Sequence, residues 1–159
     1  MGDTVSGDTV TANTILGIET SCDETAVAVV ERATVVRSSV VSSQVEQHAV
    51  FGGVVPEIAG RAHVRDLVPV LAEALATAGI EGPGGSAGGI DAVAATTGPG
   101  LVGSLLTGVS AAKALSLVWG VPFVAVNHLE AHLYASFLEE PDLELPLVVL
   151  LVSGGHTML

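Results

Sequence analysis

TILGIE, Thr14–Glu19, is apolar and β-branched, and it predicts a strand. A polar turn, Ser21-Cys22-Asp23-Glu24, follows it. Two further β-rich runs, Ala26–Glu31 and Thr34–Ser42, are split only by Glu31-Arg32. Three strands with such short connections predict an antiparallel meander. After Gly52-Gly53 and Pro56 the pattern changes to alternating helix and strand. Glu57–Gly79 predicts a helix, with Val64, Leu67, Val68, Leu71 and Leu75 on one face. Glu57, Arg61 and Arg65 form a polar row at steps of four. Gly82–Gly89 reads as a flexible low-complexity loop. Asp91–Thr97 then predicts a strand, Leu101–Trp119 a helix, Val121–Val126 a strand and His128–Leu138 a helix. Glu139–Glu144 is an acidic loop, and Leu147–Ser153 predicts one more buried strand. The order βββ-α-β-α-β-α-β implies a mixed sheet with helices on its faces. No helix follows the last strand. The expected division is one lobe, residues 14–145, and the start of a second, 146–159.

Composition bounds the function. The chain has 159 residues, 17 acidic and 5 basic, for a net charge of −12. With 49% hydrophobic and 14% charged residues, it is not a disordered acidic tail. One cysteine, Cys22, excludes an internal disulfide framework and a cysteine zinc cluster. A reducing cytoplasm is the expected compartment. The acidic balance argues against unaided binding of nucleic acid, though a basic partner would deliver it. Residues 1–13 carry no basic residue, no apolar core and a repeated GDTV, and they predict a disordered leader rather than a signal peptide. Leu101–Val126 is the most membrane-like stretch, with Lys113 its single charge. Gly120-Val121-Pro122 divides it into a helix and a strand too short to span, so a soluble buried core is expected.

Four clusters carry candidate chemistry. His128 and His132 are four apart, so on a helix their imidazoles share one side and suit one metal ion. Two exposed histidines at a helix start is the other reading. Zinc proteases of the HExxH type place glutamate beside the first ligand. Here Glu130 lies about 200° around the helix from His128, which is wrong for that role. Ser153-Gly154-Gly155-His156-Thr157 follows an apolar strand. It suits an anion through glycine backbone N–H groups and flanking hydroxyls, or it is a plain hairpin turn. Gly98-Pro99-Gly100-Leu101-Val102-Gly103 matches GxGxxG, but no acid follows about 20 residues on, and a meander precedes it. A tight turn with close helix packing is the expected role. Glu19–Thr25 gathers three carboxylates and three hydroxyls, which suit Mg²⁺ and phosphate or simply a capped turn. Cys22 reads as a small packed residue, and His48 and His63 as structural.

The motifs combine. ILGIETSCDET (Ile15–Thr25), GGVVPEIAGRAH (Gly52–His63), GPGLVGSLLTG (Gly98–Gly108), VNHLEAH (Val126–His132) and LLVSGGHT (Leu150–Thr157) occur in that order. The set resembles the N-terminal half of the tRNA adenosine threonylcarbamoyltransferase family, TsaD in bacteria, formerly called glycoproteases. The resemblance implies an α/β, actin-like and Hsp70-like ATPase (ribonuclease H-like) lobe with a truncated second lobe. It implies transfer of threonylcarbamoyl from threonylcarbamoyl-adenylate to N6 of the adenosine beside the anticodon, in tRNAs reading codons that begin with A. It implies that His128 and His132 hold iron or zinc. Leu151, Val152, Ser153, Gly154, Gly155 and His156 would contact the adenylate or ATP. Asp23 and Glu24 would line the phosphate end, with Mg²⁺. Implied partners are tRNA, a paralogous TsaB-type subunit met through the helices of this lobe, and a TsaE-type ATPase; Gly103, Thr107 and Ala111 at steps of four suit close helix packing, either against that subunit or within the lobe. No membrane is implied. Gly60 departs from the family's usual serine. The family's third metal ligand, an aspartate, falls beyond Leu159, so the chain alone is expected to be inactive. Alternative readings are a metalloprotease and a non-catalytic paralogous scaffold.

Overall fold

The computed structural model describes residues 13–81, 88–152 and 157–158. Residues 1–12 of the expected leader and 82–87 of the Gly82–Gly89 loop lie outside them. β1 (Thr14–Glu19) places Leu16 and Ile18 on one face, opposite Val29 and Val27 of β2 (Glu24–Glu31). β2 pairs antiparallel with β3 (Val35–Ser43), with a register shift between Val29 and Val30. On its other side β1 pairs in parallel with β4 (Ala92–Gly98), and β4 in parallel with β5 (Phe123–Asn127). The five-stranded order is β3-β2-β1-β4-β5. The meander and the mixed sheet thus form as expected, with β1 central. The carboxyl ends of β1, β4 and β5 share one edge.

A five-residue helix, α1 (Val45–Ala49), follows β3 and was not expected. α2 (Pro56–Thr77) starts on Pro56, which needs no N–H partner there, and runs on through Pro69. α3 (Val102–Trp119) ends on Gly120 at φ 67°, a left-handed cap that glycine adopts without strain. α2 and α3 lie side by side over Leu16, Ile18, Val27, Val29 and Val93. Each large apolar side chain buried there contributes about 1.5–3 kcal/mol.

The buried face of α2 differs from the expected stripe. Leu67, Leu71 and Leu75 are buried, joined by Ala59, Ala62, His63, Val70 and Ala74. Val64 and Val68 are exposed. Contrary to the expectation that this helix is too short to span, α3 is by length and composition long and apolar enough to cross a membrane. Here it packs on β4 and α2 and buries Ser104, Gly108 and Ala112, so only one side meets the core. Val102 (74% exposed), Leu106 and Leu117 (84% exposed) face outward, so the expected buried core takes only one side of α3.

The expected strand Leu147–Ser153 is reduced to β6 (Leu151–Val152). It pairs antiparallel with β7 (Thr157–Met158) in a separate two-stranded sheet. Residues 147–150 have no ladder partner among the described residues. Leu145, Val148 and Leu150 are exposed there, so nothing buried holds that stretch as a strand.

Glycines set two close approaches. A Cβ on Gly100 would lie 2.7 Å from the Ser21 carbonyl oxygen, while the Leu101 N–H donates to that oxygen at 2.8 Å. A Cβ on Gly108 would overlap the Thr20 hydroxyl, which donates to the Ser104 carbonyl at 2.8 Å. The GxGxxG stretch therefore docks α3 under the β1–β2 turn, the packing role expected of it. Gly60 is different: a Cβ there meets the Gly103 backbone at 3.7 Å, an ordinary contact. Gly108→Ala is expected to destabilise by about 1–3 kcal/mol through overpacking. Gly60→Ala is expected to stabilise by about 0.5–1 kcal/mol through helix propensity. Denaturant unfolding of both variants checks this, and equal effects would contradict it.

Candidate functional site

The site is built where the carboxyl ends of the parallel strands meet. In open α/β sheets this edge, at a switch in strand order, is where ligands bind. β5 delivers Asn127 and α4 (His128–Glu139). The Asn127 side-chain oxygen accepts from the Leu129 N–H at 2.9 Å and the Glu130 N–H at 3.3 Å, capping the helix. Such a cap contributes about 1 kcal/mol and fixes the first turn. His128 opens that turn and His132 follows one turn on. Their Nε2 atoms lie 3.1 Å apart, with the rings edge to face. With metal–nitrogen bonds of about 2.0–2.1 Å, two ligands of a tetrahedral ion lie about 3.3 Å apart. The pair therefore fits two corners of one ion. No group of three or more His, Cys, Asp or Glu side chains converges among the described residues.

β1 delivers Glu19. Its Oε1 accepts from the Ser21 N–H in a very short contact. Its Oε2 accepts from the Thr96 hydroxyl of β4 at 2.5 Å and faces His128 Nδ1 at 3.4 Å. The Ser21 hydroxyl lies 3.2 Å from the same nitrogen. Burial pushes the Glu19 carboxyl up, but hydrogen bonds from Thr96 and Ser21 and the nearness of His128 outweigh it, so it lies below its ordinary value. Glu19 belonged to the acidic turn read from sequence, yet Asp23 and Glu24 were chosen there. Only the fold could select Glu19, since 109 positions separate it from His128.

Asp23 closes the turn before β2, and Glu24 is the first residue of β2. Glu24 is exposed, and the Asp23 carbonyl accepts from the Gln44 N–H at 3.0 Å. They hydrogen-bond to neither histidine among the described residues. Glu130 is exposed too. Leu151 and Val152 lie in β6, whereas Ser153, Gly154, Gly155 and His156 fall outside the described residues. His63 and His48 are buried, as structural histidines should be. The Thr25 hydroxyl lies 2.8 Å from His63 Nδ1, and His63 Nε2 lies 3.1 Å from the Cys22 carbonyl oxygen it can donate to. Gln44 bridges His63 to His48. This buried network clamps the β1–β2 turn from below.

A cleft of about 420 Å³ opens beside the histidines, between α4 and the sheet face opposite α2 and α3. Gly17, Ala26, Ala28 and Ala94 form its floor. Small side chains there leave backbone within reach of whatever enters.

Fold and site define an α/β lobe with a five-stranded mixed sheet and two histidines side by side at its strand-end cleft. A solved protein from Pseudomonas aeruginosa, described as uncharacterized with similarity to peptidase YEAZ, shares this fold. Its TM-score is 0.56 at 21% identity, over 81% of this chain and 50% of that one. The family model for TsaD, tRNA N6-adenosine threonylcarbamoyltransferase, matches residues 35–159, and the chain belongs to that family. Relatives bearing that name include one from Anaeromyxobacter dehalogenans, 59% identical over 73% of this chain and 33% of its own length. One from Corynebacterium diphtheriae is 57% identical over 72% of this chain and 31% of its own length. The chain thus spans about a third of the length of the curated relatives it matches.

Cys22 is exposed rather than packed as expected. Its thiol is nonetheless pushed up to about 11, first by partial burial, then by the Asp23 hydrogen bond and the charges of Asp23, Glu19 and Glu24. The thiolate is the reactive form, and each pH unit below the pKa lowers its share tenfold. Iodoacetamide is expected to label Cys22 in the folded chain about 100-fold more slowly at pH 7.5 than in the unfolded chain. The folded-state rate should keep climbing to about pH 11. Equal folded and unfolded rates would contradict the assignment.

Proposed function

We propose that this chain supplies the first lobe of a tRNA N6-adenosine threonylcarbamoyltransferase. The donor is threonylcarbamoyl-adenylate, and the acceptor is N6 of the adenosine beside the anticodon. The carrying observation is the 3.1 Å approach of His128 Nε2 and His132 Nε2 at the strand-end cleft of a TsaD-family chain. The pair would hold one divalent ion, iron or zinc, with its remaining donors supplied from outside α4. Bound there, the ion supplies Lewis-acid polarisation of an acyl oxygen.

The residues of this chain position and shield. Asn127 holds the first turn of α4, so both imidazoles present Nε2 to one point. The donor is already activated, so most of the barrier reduction is asked of orientation and of dipoles aimed at developing charge. Residues 151–156 are proposed to contact the adenylate or ATP, and Asp23 and Glu24 to flank its phosphates with Mg²⁺. The β6–β7 hairpin is read as the start of a second lobe. The outward apolar side of α3, with Val64 and Val68 of α2, is proposed as the seat of a TsaB-type subunit. A net charge of −12 leaves the attraction for tRNA to other surfaces, and a TsaE-type ATPase completes the proposed set in the cytoplasm.

The test uses the full-length encoded protein with its partner subunits. The double variant His128→Ala, His132→Ala is expected to lower threonylcarbamoyladenosine formation at least 100-fold, on the order of what losing metal ligation costs. Thermal unfolding should stay close to that of the parent, since neither residue is buried. Undiminished modification would instead favour a non-catalytic scaffold.

A further inference from the structure

We infer that Glu19 is a positioning residue for the metal-binding histidine: its carboxylate fixes His128 with the proton on Nδ1, leaving the Nε2 lone pair facing His132. This rests on the metal-binding reading above and deepens it.

The argument is one of donors and acceptors. An ionised carboxylate only accepts hydrogen bonds. Glu19 Oε1 is committed to the Ser21 N–H, and Oε2 takes the Thr96 hydroxyl. Those two donors come from separate segments, the β1–β2 turn and β4, so the carboxylate cannot rotate without losing both. Oε2 then stands 3.4 Å from His128 Nδ1. A lone pair on Nδ1 would face a negative oxygen, whereas an Nδ1–H donates to it. The Ser21 hydroxyl, 3.2 Å from the same nitrogen, accepts a share of that proton. With the proton on Nδ1, Nε2 is the free donor atom for a metal. Carboxylates placed this way behind ligating histidines fix the ring and raise its basicity, and their loss costs about 10–100-fold in metal affinity.

His132 has no such brace: its one hydrogen-bond partner among the described residues is His128 Nε2. The two ligands are therefore unequal. One is pre-set by the strand edge, and the other is free to adjust to the ion.

Glu19→Gln separates this idea from its alternatives. The amide keeps the size of the side chain. With its oxygen still on the Ser21 N–H, its NH₂ faces Nδ1 and moves the proton to Nε2. In the full-length protein, metal affinity is read by chelator competition with Zn²⁺ or Co²⁺. The His128 tautomer is read in the metal-free protein by ¹⁵N-imidazole correlation spectra. Zinc binding by Glu19→Gln is expected to weaken about 10–100-fold, with the ring moving from Nδ1–H to Nε2–H. Thr96→Val, which keeps its shape and loses one donor to Glu19, should weaken binding by about 2–10-fold. It also serves if Glu19→Gln fails to fold. Unchanged affinity and tautomer in both variants, with His128→Ala still abolishing binding, would overturn this inference and leave the metal-binding reading standing. Parent protein that binds no better than His128→Ala would overturn that reading and this inference with it.

Discussion

Glu19 ends the central strand, and its carboxylate is held by a backbone amide of the next turn, a hydroxyl from β4 and an imidazole from α4. Three segments distant in sequence are tied at that one side chain. The knot holds because β1 cannot shift. Antiparallel β2 and parallel β4 lock it from both sides, and a one-residue slip would turn Leu16 and Ile18 out of the core. Gly100 lets the following turn press onto Ser21, and His63 grips the same turn through the Cys22 carbonyl. The geometry at the histidines is thus inherited from strand pairing and glycine packing well away from them.

The two faces of the sheet have different tasks. One face, under α2 and α3, carries the large core side chains. The other has a floor of glycine and alanine beside α4, where a cleft opens next to the histidines. α4 buries none of its residues; it rests against β4 and β5, and its first residue, His128, meets Glu19 and Ser21. That is a light attachment, and the inner side of the helix borders the cleft. The outer side of α3 is apolar without being part of the core. A surface of that kind marks an association site more often than a fold requirement.

Much of this was legible in the sequence. β1 matched its expected bounds, since TILGIE is an apolar, β-branched run between polar neighbours. The bounds of α3 and α4 were off by one residue, because Gly120 and Asn127 are strong end signals. The errors came where a local pattern had two meanings. Val64 and Val68 continue the apolar spacing of α2, yet they serve a second, outward face, and periodicity does not separate two apolar faces. Leu147–Leu150 has the composition of a buried strand without a partner to pair with. α1 is one turn long, too short for any periodic signal. The histidine pair was legible because helical spacing alone brings i and i+4 together. Its brace was not. Nothing local links Glu19 to a residue on another strand end, and the acidic turn offered three carboxylates of equal appeal.

The central claim is that His128 and His132 form two corners of one metal site, pre-set by the end of β1. An anomalous-scattering map of the full-length protein crystallised with zinc tests it most directly. The account predicts one ion about 2.0–2.1 Å from both Nε2 atoms, with His128 Nδ1 still facing Glu19. An ion bound elsewhere, or to His128 through Nδ1 with Glu19 turned away, would contradict it.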